Sequence, residues 1–273
     1  MIAKTLGKMK SNTLVPRIPV SSKQSCLTDL VNIEGSEYSV QTASTVRQLL
    51  DSQRLRYKVF YREYAGKSRP IGWDSTVLDK SAHHLVVVRN YPYKVVGTYR
   101  LIPFNVGQGI YCAEEFSLNQ MAEILTNGVE LSRACVHPRF RNGAVVSMLW
   151  KGVLSYLSLT QRKYLFGMSS IKLKSIADSP HVITKVGELS GSNLLDQRIQ
   201  AKASFKVPEV GSELAKTEMA KGTKWIPPLM KMYLKAGAEI IGEPAYDPVF
   251  KCLDFFTLLD LERLNPSFKK RFG

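Results

Sequence analysis

The spacing of apolar residues changes repeatedly along this chain, and each change marks an element. Residues 38–42 alternate apolar and polar positions, which predicts a short strand. Across residues 43–64 the set Val46, Leu49, Leu50, Leu55, Val59 and Phe60 recurs near helical spacing, so a helix follows. Residues 67–73 hold Gly and Pro breakers and read as a loop. Residues 84–89 and 94–103 are rich in β-branched and aromatic side chains, and the Asn-Tyr-Pro-Tyr stretch at 90–93 reads as a hairpin turn. Residues 107–109 break the chain again, and 114–125 have helical character. Beyond them, 129–136 read as a strand, 144–157 as an apolar helix and 164–169 as a short strand.

Residues 171–225 are polar and mixed, and read as an insertion with short helices. Pro227 suits the first turn of a helix, and Gly237 suits its C-terminal cap. Residues 238–241 and 253–258 are two closing β-rich runs. This order predicts an α/β fold whose mixed, mostly antiparallel sheet has hairpins, a crossover helix and flanking helices. It predicts one domain over residues 38–273, preceded by a basic tail over residues 1–37.

Composition narrows the class. A chain of 273 residues with 44% hydrophobic side chains can bury a substantial core. Its 38 Lys and Arg against 23 Asp and Glu give a net charge of +15, which favours an acidic partner or an anionic membrane surface. No recognition helix, zinc spacing or aromatic RNA-stacking motif is present, so nucleic acid is not an expected partner. Cys26, Cys112, Cys135 and Cys252 are scattered beside apolar residues, which reads as free thiols in a reducing cytoplasm. No run approaches the roughly 18 apolar residues of a membrane span. Lys4, Lys8, Lys10 and Arg17 interrupt any signal peptide. Ile2, Leu6 and Met9 would line one side of a short basic helix at a lipid surface; a frayed tail is the plainer reading of residues 1–22.

Several motifs fall in a telling order: Arg56-Tyr-Lys-Val-Phe60, Val96-Gly-Thr-Tyr-Arg-Leu101, Glu130-Leu-Ser-Arg133, Phe140-Arg141, Leu149-Trp150 and Tyr164-Leu-Phe-Gly167. Pro227-Pro228, Gly237-Ala238 and Gly242-Glu-Pro-Ala-Tyr-Asp247 follow. Over residues 42–259 this set resembles the GNAT-fold N-acyltransferases of ornithine-lipid synthesis and the N-acyl amino acid synthases, and more distantly the acyl-homoserine-lactone synthases. The resemblance implies the GNAT fold and transfer of a long-chain fatty acyl group from a carrier thioester to the amine of a small molecule. Ornithine is the favoured acceptor. It implies no metal and no bound cofactor.

N-acylation asks for two things: an amine relieved of its proton, and donors for the charge that grows on the thioester oxygen. Glu130 is the only carboxylate of its strand, between Val129 and Leu131, and a buried carboxylate needs partners. An ion pair with Arg133 or Arg100 would satisfy it; the resemblance implies instead a role at the amine. Glu130 and Arg133 are three apart, so they share a pocket only if a β-bulge intervenes. The resemblance places Arg100 near the acyl-transfer centre, although a sheet-edge salt bridge explains it equally well. The resemblance implies that Asp74 and Asp79 help hold the amine, although turn formation or helix capping explains them equally well. His84 at a strand start is a third substrate-binding candidate with a structural alternative. Trp150, Leu149 and Leu154 read as core.

For the donor, Arg139, Arg141, Asn142, Gly143 and Ala144 form a basic turn that opens a helix, a natural phosphate seat. Gly143 of the usual coenzyme A signature is present there, but its second small residue is not at the usual spacing. Residues 161–235 carry 13 Lys and Arg against 6 Asp and Glu. Both features favour an acidic acyl-carrier protein as thioester donor, with acyl-coenzyme A as the alternative. The enzyme is expected in the cytoplasm, at the inner face of the membrane. An acyl-homoserine-lactone-type signal synthase and a non-catalytic basic module remain as competing readings.

Overall fold

The computed structural model describes residues 26–66, 72–105, 109–118, 120–191, 194, 196–210 and 225–273. Its first half runs β1 (Asn32–Ile33), β2 (Tyr38–Thr42), α1 (Val46–Arg56), β3 (His83–Arg89), β4 (Lys94–Pro103), α2 (Cys112–Glu115), β5 (Phe116–Leu118), α3 (Ala122–Thr126) and β6 (Gly128–Val136). The second half runs α4 (Ala144–Thr160), β7 (Tyr164–Lys172), α5 (Ser179–Ser190), β8 (Ile199–Ala201), α6 (Pro228–Ala236), β9 (Glu239–Ile240), β10 (Ala245–Asp247), β11 (Cys252–Asp260) and α7 (Pro266–Phe272).

Nine strands form one sheet in the order β1–β2–β3–β4–β6–β7–β11–β10, with β9 paired to β11. Every pairing is antiparallel except β6 with β7. β3 and β4 are near-continuous apolar runs because both of their faces are covered, by α1 on one side and α4 on the other. Thr45 caps α1 in a capping box with Gln48. The helix then continues as a π-helix, Tyr57–Tyr64, a rare form frequently found at functional sites. Trp150 is fully buried, edge-on to Phe268 and Tyr233, and Leu149 and Leu154 are buried with it, so these three are core as expected.

The structure corrects the expected layout at four places. The tail ends earlier than residue 37: Val31 is buried, Thr42 Oγ1 accepts from the Leu30 and Val31 N–H groups, and β1 joins the sheet. Residues 1–22 lie outside the described residues. The helix expected over 114–125 is split, because Phe116–Leu118 turns into a strand and pairs with β8. The insertion over 171–225 therefore contains a strand as well as α5, while residues 211–224 lie outside the described residues. β10 and α7 went unforeseen, since each is short and amphipathic signal needs length. Pro227, expected in the first turn of α6, is its N-cap instead, with Pro228 the first helical residue, and Gly237 caps the C-terminus as expected.

Candidate active site

β6 and β7 pair only over Gly128–Leu131 and Tyr164–Gly167, after which the two strands part. Gly167 marks the closing point: a Cβ there would lie 2.4 Å from the Leu131 carbonyl oxygen, so only glycine lets the strands approach this closely. A cavity of about 250 Å³ occupies the opening. Its walls include Leu131, Ser132, Arg133 and Ala134 from β6 and Met168, Ser169 and Ser170 from β7. The π-helix adds Phe60, Tyr61 and Tyr64, and α6 adds Met230 and Tyr233.

A β-bulge does lie beyond Glu130 on β6, but it does not bring Glu130 and Arg133 into one pocket, since only Arg133 is on the cavity wall. Thr98 faces Cys135 and Arg100 faces Ser132, so β6 holds one extra residue opposite Tyr99. Arg133 takes up the bulge in the left-handed region, at φ 53°. Its side chain reaches the cavity wall, where Nε donates to Asp74 Oδ2 at 3.0 Å and the guanidinium lies over the Tyr111 ring.

Behind that wall lies a buried ion network. Arg56 donates to Asp74 (2.9 Å) and grips both oxygens of Asp79 (3.0 Å each). Arg100 adds Asp79 (3.3 Å), Thr76 Oγ1 and Ser132 Oγ. It sits in a central strand, fully buried, and so is not a sheet-edge residue. Burial alone would raise the Asp79 pKa, but Arg56 and Arg100 outweigh it and hold the carboxyl below its usual range. Of the two aspartates, only Asp74 reaches the cavity. His84 contacts the Asp79 carbonyl (3.3 Å), and burial pushes its pKa down to about 4, so the ring is neutral. It stands in the network and not on the cavity wall.

Glu130 also stands behind the wall. The backbone N–H groups of Tyr111 and Cys112 donate to its two oxygens at 2.7 and 2.6 Å, and no ion pair with Arg100 or Arg133 forms within 4.0 Å. Burial raises its pKa, against those donors and the nearby Arg100 charge. Its visible work is to pin the start of α2 and hence Tyr111, whose ring lies under both Arg133 (4.6 Å) and Arg100 (5.5 Å). In the sequence, Arg56 stands out only within a motif, and Tyr111 carries no signal. Asp254, a carboxylate in an apolar strand, carries the same signal as Glu130 and went unread.

The basic turn lies at the surface. Pro138–Phe140 form a single 3₁₀ turn, and Gly143 at φ 91° precedes α4 with no side-chain cap. Asn142 Oδ1 accepts from Ala144 N–H at 3.1 Å, leaving the next N–H groups of the first helical turn open. Arg141 is tied to Glu63 (2.8 Å through Nη2) and to the Val136 carbonyl. Lys58 contacts His137 at 3.1 Å, and Arg139 N–H is shared with the same ring. Burial, Lys58, Lys94, Arg139 and Arg141 together push the His137 pKa down to about 4. The structure thus brings Lys58 and Lys94 to the turn, which sequence order concealed.

Comparison with known proteins agrees with this architecture. Residues 55–151 match the family model of the acetyltransferase (GNAT) domain. The chain is 28% identical over 248 residues to the L-ornithine N(alpha)-acyltransferase of Rhodobacter capsulatus, covering 85% of this chain and 93% of that one. It is 25% identical over 256 residues to the enzyme of that name from Brucella abortus, covering 86% and 88%. Among solved structures, the AHL synthase LasI is 15% identical with a TM-score of 0.46, covering 87% of this chain and 95% of that one. The chain carries the GNAT fold and is an N-acyltransferase.

Proposed function

We propose that this enzyme transfers a long-chain fatty acyl group from an acyl-carrier protein thioester to the α-amine of an amino acid, ornithine first. The observation that carries the reading is the parting of β6 and β7 at Leu131, which opens a cavity into the sheet. A thioester laid in that opening meets strand backbone with no strand partner on its inner edge, a source of N–H donors for the carbonyl oxygen. The neutral amine attacks the carbonyl carbon, the C–S bond breaks, and the thiol leaves with the proton that the amine gives up.

Arg133 offers its charge to the acceptor carboxylate, as a planar fork suited to that group. Asp74 orients Arg133, and Tyr111 stacks beneath it. Glu130, Arg100, Asp79 and His84 act one layer back, as positioning residues. On the donor side, Arg139, Arg141, Asn142, Gly143 and Ala144, with Lys58 and Lys94, form the cationic helix start that would hold the phosphopantetheine phosphate. The acceptor assignment draws on the relatives named for L-ornithine.

No helix among the described residues is long and apolar enough to cross a membrane. An amphipathic product would leave into the inner leaflet, so we place the enzyme in the cytoplasm at that surface. Mass spectrometry of lipid extracts from cells overexpressing the chain tests the reading. New N-acyl ornithine supports it, and extracts identical to those of empty cells sink it.

A further inference from the structure

The cavity has an acidic end that the acyl-transfer reading leaves unexplained. Asp247, Cys252 and Asp254 line it, with one ligand atom from each within 4.8 Å of the others. Asp247 Oδ1 accepts from the Val249 and Phe250 N–H groups, and Asp254 accepts from Ser170 Oγ and, at 3.4 Å, from Cys252 Sγ. A third carboxyl, Glu115, stands against Asp254. It is only 3% exposed, and its Oε2 has no hydrogen-bond donor among the described residues. Among the same residues, no Lys or Arg makes an ion pair within 4.0 Å of any of the three carboxyls. Burying acids without a counter-charge is costly, and such a cluster is relieved either by taking up a proton or by a cation that visits it.

We propose that the Asp247–Asp254–Glu115 cluster binds the side-chain ammonium of a dibasic amino acid while its α-amine is acylated. An ammonium carries three donors; Asp247 and Asp254 line the cavity, and Glu115 backs Asp254. Tyr64 and Phe250, their rings 6.1 Å apart on the same wall, would cover the methylenes between the two ends of the substrate. Tyr111 bridges the ends: its hydroxyl feels the charges of Arg133, Glu115 and Asp254 together. Carboxylate at Arg133 and ammonium at the acids would fix both the length and the polarity of the acceptor.

A divalent metal is the competing occupant, since Cys252 and two aspartates are ligand types. Burial and the neighbouring Asp254 push the free Cys252 thiol far up, so a metal would have to displace its proton on binding, and a zinc titration separates the two occupants. Burial raises both Glu115 and Asp254, helped at Glu115 by Asp254 and Asp247 and at Asp254 by Asp247, so the cluster holds a proton when no cation is present. An arriving ammonium takes the place of that proton.

The inference rests on the acyl-transfer reading for its substrate, but its test does not. Calorimetric titration of the purified protein compares L-ornithine with L-norvaline, which is ornithine without its side-chain amine. A site built to bond an N–H group rejects the analogue lacking it. Ornithine should bind at least 20-fold more tightly, and Asp254→Asn should shrink that ratio at least tenfold. Glu115→Gln is the second variant should Asp254→Asn not fold, with the same expectation. Equal binding of the two amino acids by wild type overturns the proposal, as does an undiminished ratio in a folded variant. Stoichiometric zinc binding that Cys252→Ser abolishes, with ornithine affinity indifferent to zinc, also overturns it. Selective binding without acylation of either amine leaves the cation seat standing and fails the acyl-transfer reading. Equal acylation of both amines does the reverse.

Discussion

The guanidinium carbon of Arg133 lies 4.6 Å from the centroid of the Tyr111 ring, and both side chains face the cavity between β6 and β7. The two residues arrive from unrelated places. Arg133 is turned inward by a bulge in the left-handed region, and Tyr111 is held by Glu130 through its backbone N–H. The stack is therefore where the bulge, the buried carboxylate and the ion network meet. Burial, set against Arg133, pushes the Tyr111 hydroxyl up to about 12, so the ring stays neutral.

Removing the ring should be felt at Arg133. Tyr111→Ala deletes a cation–π contact of about 1–2 kcal/mol at a partly desolvated site. The acceptor KM should rise at least fivefold, because the guanidinium loses its floor. Tyr111→Phe keeps the stack and should stay within threefold of wild type. A Phe variant as impaired as the Ala variant would show that the hydroxyl, and not the stack, matters.

Glu130→Gln tests positioning against proton transfer. One of the two backbone donors would then face an amide NH₂, at a cost of about 1–3 kcal/mol in stability, with a turnover loss of at least tenfold. The pH profile of kcat should keep its shape while its height falls. Loss of the acidic limb with an unchanged thermal midpoint would instead make Glu130 the base at the amine.

Arg56 serves Asp74 and Asp79 at once, with its side chain fully buried. Arg56→Met leaves both carboxylates short of a partner, and breaking a buried pair typically costs about 3–5 kcal/mol. Chemical denaturation should register a loss of that size, larger than the loss from Glu130→Gln. A loss under about 1 kcal/mol would mean that Arg100 and Arg133 compensate.

Much of this layout was legible in the sequence, for physical reasons. β3, β4 and β6 are long, strongly β-rich runs, and their bounds in the structure depart little from those expected. The bulge was legible only as a condition, since Glu130 and Arg133, three apart, could share a pocket only through one; it is present, although Glu130 stands behind the wall. Residues 114–125 misled because a strand as short as Phe116–Leu118 leaves no periodic trace, and its existence depends on a partner more than eighty residues away. Glu130 was visible as an odd charge, but its partners are backbone N–H groups, which no side-chain pattern announces. The acidic end of the cavity joins α2, β10 and β11, and only the fold shows that adjacency.

His84 gives a pH test with a definite sign. Its folded pKa of about 4 lies below the ordinary 6.5, so the unfolded chain binds a proton there that the folded chain refuses. That contribution to stability is full above pH 6.5 and is lost as pH falls toward 4. His84→Gln removes it. The variant should lose stability less steeply than wild type between pH 6.5 and 5, by up to about 1.4 kcal/mol per pH unit. Parallel stability curves for the two proteins would show that His84 does protonate in the folded state.

The basic turn is the place to test the proposed donor. If an acidic carrier protein docks there, Lys58, Lys94, Arg139 and Arg141 supply the attraction, and the start of α4 supplies N–H groups for the phosphate. Attraction between surfaces is screened over about 8–10 Å at physiological salt, so it acts mainly on association. kcat/KM with acyl-carrier protein should fall steeply between low and moderate salt, while kcat at saturation changes little. Arg139→Glu is the cleaner reversal, because Arg141→Glu would also break the pair with Glu63 and set two acids side by side. Arg139→Glu should lower kcat/KM for the carrier protein at least tenfold at low salt and flatten the salt dependence. Acyl-coenzyme A brings its own phosphates and should lose less. Equal use of acyl-coenzyme A at matched chain length, with no salt effect, would remove the carrier protein as donor and leave the turn as a simple phosphate seat.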